Sequence, residues 1–182
     1  MAKLVSKTYG EALFEIASEQ GGLREWMEEV NALWQILTDN QEFDKMMKHP
    51  GIPIQEKVQI LKNVFEGQIR EELLNFLMIV ITKERYAQLN AIFRYFIDRV
   101  KETEKIGVAY VTTAIELNKA QKDAVTDRLL ATTSYESMEM HYKVDTALIG
   151  GMKIRVGDRV VDSSIRSKLD EMTKQLLQIQ LG

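Results

Sequence analysis

The chain has no cysteine, which excludes a disulfide framework and any thiolate metal site. It has two histidines, His49 beside Pro50 and His141 on the polar side of an alternating segment, too few and too separate in setting to suggest a metal centre. The only two prolines lie together in Pro50-Gly51-Ile52-Pro53, so one definite loop is marked and helices elsewhere meet few breakers. Long apolar runs are missing too. The longest, Phe76 to Ile81, falls far short of the roughly 20 residues that span a bilayer, and no basic-then-apolar signal pattern opens the chain. Any membrane contact is therefore expected to go through partners. Neither sign of charge dominates: residues 1–105 hold 14 Lys+Arg against 17 Asp+Glu, and residues 106–182 hold 10 against 10. That is no footprint for phosphate, so nucleic acid is not expected as a partner. Also absent are a Gly-x-Ser-x-Gly elbow and a phosphate-binding loop, since Gly150, Gly151 and Gly157 lie between strand patterns and open no helix. The expectation is a non-enzyme without cofactor or metal.

What is present begins with a sizeable apolar fraction, 45% of 182 residues, enough for one or two packed domains. From Lys3 to Lys105 the apolar spacing is helical, and the breaks predict helices over 4–20, 23–38, 41–48, 54–65, 70–82 and 86–104, joined by short connections. After Ile106-Gly107 the texture changes. Val108 to Ile115 is β-branched and strand-like, Asn118 to Leu130 returns to helical spacing, and two period-two alternations follow. The predicted class is α+β and mostly helical: an N-terminal six-helix bundle over 1–105 and a smaller mixed α/β domain over 106–182.

The stretch from Met138 to Leu169 is the densest in signals. Met138, Met140, Tyr142 and Val144 alternate with Glu139, His141, Lys143 and Asp145, which predicts a strand with one buried and one wet face. Met152, Ile154 and Val156 alternate likewise with Lys153 and Arg155. Gly150-Gly151 between them can turn the chain or admit another backbone. Gly157-Asp158 suits a tight hairpin turn into Arg159-Val160-Val161. Asp162, Ser163 and Ser164 offer oxygens to the start of a helix from about Ile165 to Leu177. The local basic excess of Lys153, Arg155, Arg159, Arg166 and Lys168 reads as a solvated sheet face and helix turn.

Two N-terminal helices carry more apolar surface than one core needs. In Leu73 to Ile81 eight of nine residues are apolar; with Leu73, Phe76, Leu77 and Val80 inward, Asn75, Met78, Ile79 and Thr82 form an opposite stripe with the spacing of a helix-binding groove. The alternative is a central helix buried on all sides. In the first helix Val5, Tyr9, Ala12, Leu13 and Ile16 make one face, and Gly10, Phe14 and Ala17 a weaker second; its wheel alone leaves open which of them points outward. Gly10 is expected to interrupt this helix.

The run Val144-Asp145, Leu148-Ile149-Gly150-Gly151-Met152-Lys153-Ile154-Arg155-Val156-Gly157-Asp158 and Val161-Asp162-Ser163-Ser164-Ile165-Arg166 resembles the C-terminal signature of the delta subunit of bacterial F-type ATP synthases, whose mitochondrial counterpart is the oligomycin-sensitivity-conferring protein. Tyr9-Gly10-Glu11-Ala12-Leu13-Phe14-Glu15-Ile16-Ala17 resembles that family's first helix, and the likeness covers essentially the whole chain. The resemblance implies a non-catalytic stator subunit at the cytoplasmic face of the bacterial membrane. Its helical domain would bind N-terminal helices of the catalytic head's α subunits through Tyr9, Ala12, Asn75, Met78, Ile79 and Thr82. Its C-terminal domain would hold the peripheral-stalk b subunits in the signature region around Asp145, Gly150, Gly151, Ile154, Arg155, Gly157 and Asp158. The stator would keep the head from co-rotating while proton or sodium-ion flow drives the rotor. The rival reading of the residues is an independent helical adaptor whose groove takes some other amphipathic helix.

Overall fold

The computed structural model describes residues 2–180, with side-chain surroundings for residues 4–172. The chain divides into two compact units, Met1–Glu104 and Lys105–Gly182.

The first unit is all helical: α1 (Ala2–Gln20), α2 (Leu23–Asp39), α3 (Gln41–Lys48), α4 (Ile54–Phe65), α5 (Glu71–Thr82) and α6 (Leu89–Thr103). The helix expected to start at residue 86 begins instead as a separate 3₁₀ turn over Tyr86–Gln88. The Pro50–Pro53 loop separates α3 from α4, as the missing N–H groups require. Asn40 caps α3 by accepting from the Phe43 N–H at 3.1 Å. The core runs through every helix, from Leu13 and Trp26 to Ile92, Phe93, Phe96 and Val100, all essentially without exposure. Arg70 ties α2 to the start of α5: its backbone N–H and its Nε donate to the two oxygens of Glu29 at 2.6 and 2.7 Å, and its guanidinium lies 5.1 Å from the Trp26 ring centroid.

The first helix corrects one expectation and decides what its wheel left open. It is continuous through Gly10, and its inward row is Ser6, Gly10, Leu13 and Ala17. That row takes Gly10 and Ala17 from the face read as the weaker one and Leu13 from the other, while Phe14 is half-buried. The reason lies in α6: the Tyr95 ring packs onto Gly10 where a Cβ would stand, and the Tyr95 hydroxyl donates to Glu11 Oε1 at 2.7 Å. Missing volume on α1 is filled from its neighbour, so a residue that looks like a helix breaker is a contact site.

The second unit holds β1 (Ile106–Thr113), α7 (Lys119–Thr132), β2 (Ser137–Val144), β3 (Met152–Val156), β4 (Arg159–Asp162) and α8 (Ile165–Gln180). The sheet order is β2-β1-β3-β4. β1 pairs parallel with β2 across the α7 crossover, and antiparallel with β3, Val111 lying opposite both Tyr142 and Ile154. α7 opens with a capping box in which Asn118 and Gln121 exchange side-chain to backbone bonds. The class is thus mostly helical with a small mixed four-stranded sheet, as expected. One detail differs: Met138, Met140 and Tyr142 share a face but are only half-buried, and Val144 is exposed. Among the described residues α7 buries none of its own completely, so that face is covered only in part.

Candidate interaction surfaces

Among the described residues no group of three His, Cys, Asp or Glu could hold a metal ion. His49 Nδ1 accepts from the Gly51 N–H at 3.1 Å and shapes its loop; His141 lies 2.8 Å from Glu139 and stacks on Tyr110 with ring centroids 4.9 Å apart. What the geometry offers is surface.

The first surface lies on α1 and α5. Leu73, Leu74, Phe76, Leu77, Val80 and Ile81 of α5 are buried. Asn75, Ile79 and Thr82 are exposed and Met78 is half-buried, so α5 has an outward stripe and the fully buried alternative fails. Ile79 is 54% exposed, in a helix that otherwise packs its isoleucine and valine inside. On α1, Tyr9 is half-buried and packs edge-on against Phe76 at 6.4 Å between centroids, while Ala12 is exposed. Ile79 is one turn beyond Phe76, so Tyr9 stands beside the α5 stripe. Thr82 has its hydroxyl engaged, donating to the Met78 carbonyl at 2.7 Å.

The second surface is the signature region. Asp145 starts a 3₁₀ turn, its Oδ1 accepting from the Ala147 N–H at 3.0 Å. Gly151 has φ +77, and a Cβ there would strike the Ser163 carbonyl oxygen. That close approach lets the chain after β4 close back onto the glycine pair: Ser163 N–H donates to the Met152 carbonyl at 3.0 Å and Ile165 N–H to the Gly150 carbonyl at 3.0 Å. Gly157 (φ +56) and Asp158 form the two-residue turn, with Val156 opposite Arg159. Of the three expected capping residues, Ser164 caps α8, its Oγ accepting from the Ser167 N–H at 3.2 Å. Asp162 accepts from the Ser164 N–H at 3.0 Å and from the Ser167 hydroxyl at 2.9 Å. Those bonds, the Ser164 backbone one foremost, hold its carboxyl below the usual range. Ser163 turns its hydroxyl to Met152 instead. Arg155 lies over the Tyr110 ring, its guanidinium 4.6 Å from the centroid. Ile154 sits on the opposite sheet face, between Val111 and Val161. The basic residues do not make one patch: strand register puts Lys153 and Arg155 on one sheet face and Arg159, paired with Val156, on the other face with Ile154.

A family model described as ATP synthase delta (OSCP) subunit matches residues 5–176. The chain belongs to the ATP synthase delta (OSCP) subunit family. It is 49% identical to the ATP synthase subunit delta of Lachnoclostridium phytofermentans over 182 residues, all of both chains. It is 32% identical over 180 residues to that of Syntrophomonas wolfei, covering 99% of this chain and 98% of the relative. The chloroplastic ATP synthase subunit delta of Emiliania huxleyi matches at 31% over 172 residues, 94% of this chain and 96% of the relative. Among solved structures, the fold is similar to a chain of the Toxoplasma gondii mitochondrial ATP synthase hexamer, with TM-score 0.71 and 21% identity over 94% of this chain and 97% of that one.

Against this delta-family fold, sequence reasoning missed two features. Ile149 adopts φ 66 and is 64% exposed; nothing local announces a positive φ at an isoleucine. In α8 the apolar residues Ile165, Leu169 and Met172 face outward, a row that their four-then-three spacing could have revealed.

Proposed function

We propose that this chain, a stator component of an F-type ATP synthase by its family, joins the catalytic head to the peripheral stalk. The helical unit binds the N-terminal helices of the head's α subunits along the α1/α5 surface. The mixed unit holds the C-terminal ends of the stalk's b subunits. In this reading the chain is held at the cytoplasmic face of the bacterial cell membrane through these partners; no described helix is long and apolar enough to cross a membrane.

The observation that carries the head-binding half is the exposed Ile79 on the outward stripe of α5, in a unit whose other exposed large apolar residues, Leu4, Ile36 and Val64, stand on other helices. An amphipathic helix laid there would bury Ile79 and Met78 and complete the packing. Torque on the head demands a long-lived joint, and apolar helix-in-groove burial supplies slow dissociation. Titrating the full chain calorimetrically with a peptide of the α subunit's N-terminal helix tests this. Saturable one-to-one binding with a negative heat-capacity change is expected; a folded chain that takes up no peptide removes the head from this surface.

A further inference from the structure

β2 is an outer strand of the sheet, and among the described residues its one strand partner is β1. It has eight residues, whereas β4 at the other edge has four. The slanted bonds of a parallel pair straddle the register partner. Here the Thr113 carbonyl takes the Asp145 N–H at 2.8 Å, one residue beyond its partner Val144. Alternation along the strand then turns the N–H and carbonyl groups of Met138, Met140, Tyr142 and Val144 away from β1. Such a row of outward backbone groups is a template for a further strand.

The strand that fits follows from the order of residues in β2. Met140 and Tyr142, Glu139 and Lys143, and Met138 and Val144 stand in pairs at equal distances on either side of His141. An antiparallel second copy with His141 on the axis therefore sets Glu139 opposite Lys143 of that copy, Met140 opposite its Tyr142 and Met138 opposite its Val144, each combination occurring twice. The backbone agrees with this register. Met138 with Val144 and Met140 with Tyr142 become the hydrogen-bonded pairs, and Glu139 with Lys143 a non-hydrogen-bonded pair, in which side chains come closest. Opposite charges and apolar pairs directly across from one another stabilise a sheet. The single chain leaves these side chains available: Met138, Met140 and Tyr142 are half-buried, Val144 is 49% exposed, and Lys143 is exposed with no ion pair among the described residues.

We infer that β2 is a self-docking edge: two copies of this chain pair antiparallel through β2 about His141 and join their four-stranded sheets into one. The same surface is used on both chains, so the contact closes at two copies and does not propagate. This goes beyond the proposed function and depends on neither head nor stalk.

Sedimentation equilibrium of the full chain at low salt, from micromolar to millimolar concentration, reads the pairing, and a reversible monomer–dimer equilibrium is expected. Glu139→Lys and Lys143→Glu, each made alone, set like charges opposite one another at both symmetric places and are expected to weaken the dimer at least about tenfold. Both changes in one chain should restore it, and an equimolar mixture of the two single variants should form a mixed pair. Val144→Pro removes an N–H that points outward and none that bonds to β1, so it is expected to weaken pairing with the circular dichroism unchanged. A parent that stays monomeric throughout overturns the proposal. So does a dimer that both single charge variants leave equally tight, since it pairs through another surface. Single variants that are weakened without rescue in the double variant overturn the register about His141.

Discussion

The two units solve burial in opposite ways. In the helical unit each helix sends side chains into one continuous core, and exposed large apolar residues are few and separate, Leu4, Ile36, Val64 and Ile79. In the mixed unit only Ala109, Val111, Ala114 and Leu148 are buried apolar residues among those described, while Tyr110, Val144, Val160, Val161 and the α8 row stand in solvent. A small unit with so thin a core keeps little stability in reserve. The difference teaches that helices which bury one another leave only a narrow apolar stripe open, whereas a thin sheet unit leaves much of its apolar surface in solvent.

That contrast can be broken most forcefully at Trp26. Trp26→Ala should cost about 3–5 kcal/mol, read by chemical denaturation, because the ring is fully buried and carries the Arg70 contact; a loss comparable to that of an exposed site would show the core to be loose. Next is Ile79→Asp, which should leave stability within about 0.5 kcal/mol but lower affinity for the α-subunit peptide by about tenfold to a hundredfold, the ~1.5–3 kcal/mol of one buried isoleucine. Unchanged affinity would take Ile79 out of the interface. Gly151→Val is local, costing about 1–2 kcal/mol for a left-handed residue and, beyond that, a shift of the Ser163 carbonyl that its Cβ would strike. Hydrogen exchange should show lost protection at Ser163 and Ile165 with none lost in α2 or α6, and weaker stalk attachment should follow. The smallest effect is Asp162. Its pKa is lowered in the folded chain, so its contribution is present above the unfolded value of about 3.9 and is lost as pH falls through the folded value. Asp162→Asn should flatten that acid limb of the stability curve, slightly, since the group is exposed and screened.

Much of this was legible in the residues. Most helix boundaries followed from glycines, prolines and apolar spacing, and the outward row of α5 could be named from its wheel, but a helix with eight apolar residues in its central nine reads equally as buried all round, and Leu74 and Ile81 joined the inward row only in the structure. The signature stretch yielded its strands, its hairpin turn and its helix start because each rests on a local rule. What failed to show rests on partners distant in sequence. The inward face of α1 includes Ser6 and Gly10, which no hydrophobic pattern marks, and becomes inward because Tyr95 arrives from α6. The half-burial of Met138 and Met140 depends on how little α7 covers. Ile149 ends a 3₁₀ turn with its N–H on the Thr146 carbonyl and precedes the glycine whose carbonyl takes the distant Ile165 N–H, and no hydrophobic pattern marks its positive φ.

The place of β1 in the sheet sets an order of events during synthesis. It is the middle strand, bonded on one edge to β2 and on the other to β3, yet it leaves the ribosome before either. Its two edges therefore stay open until α7, β2 and β3 have followed, while the helical unit closes locally as soon as Val100 has emerged. The helical unit is therefore ready first, packed before the strands that complete the sheet exist.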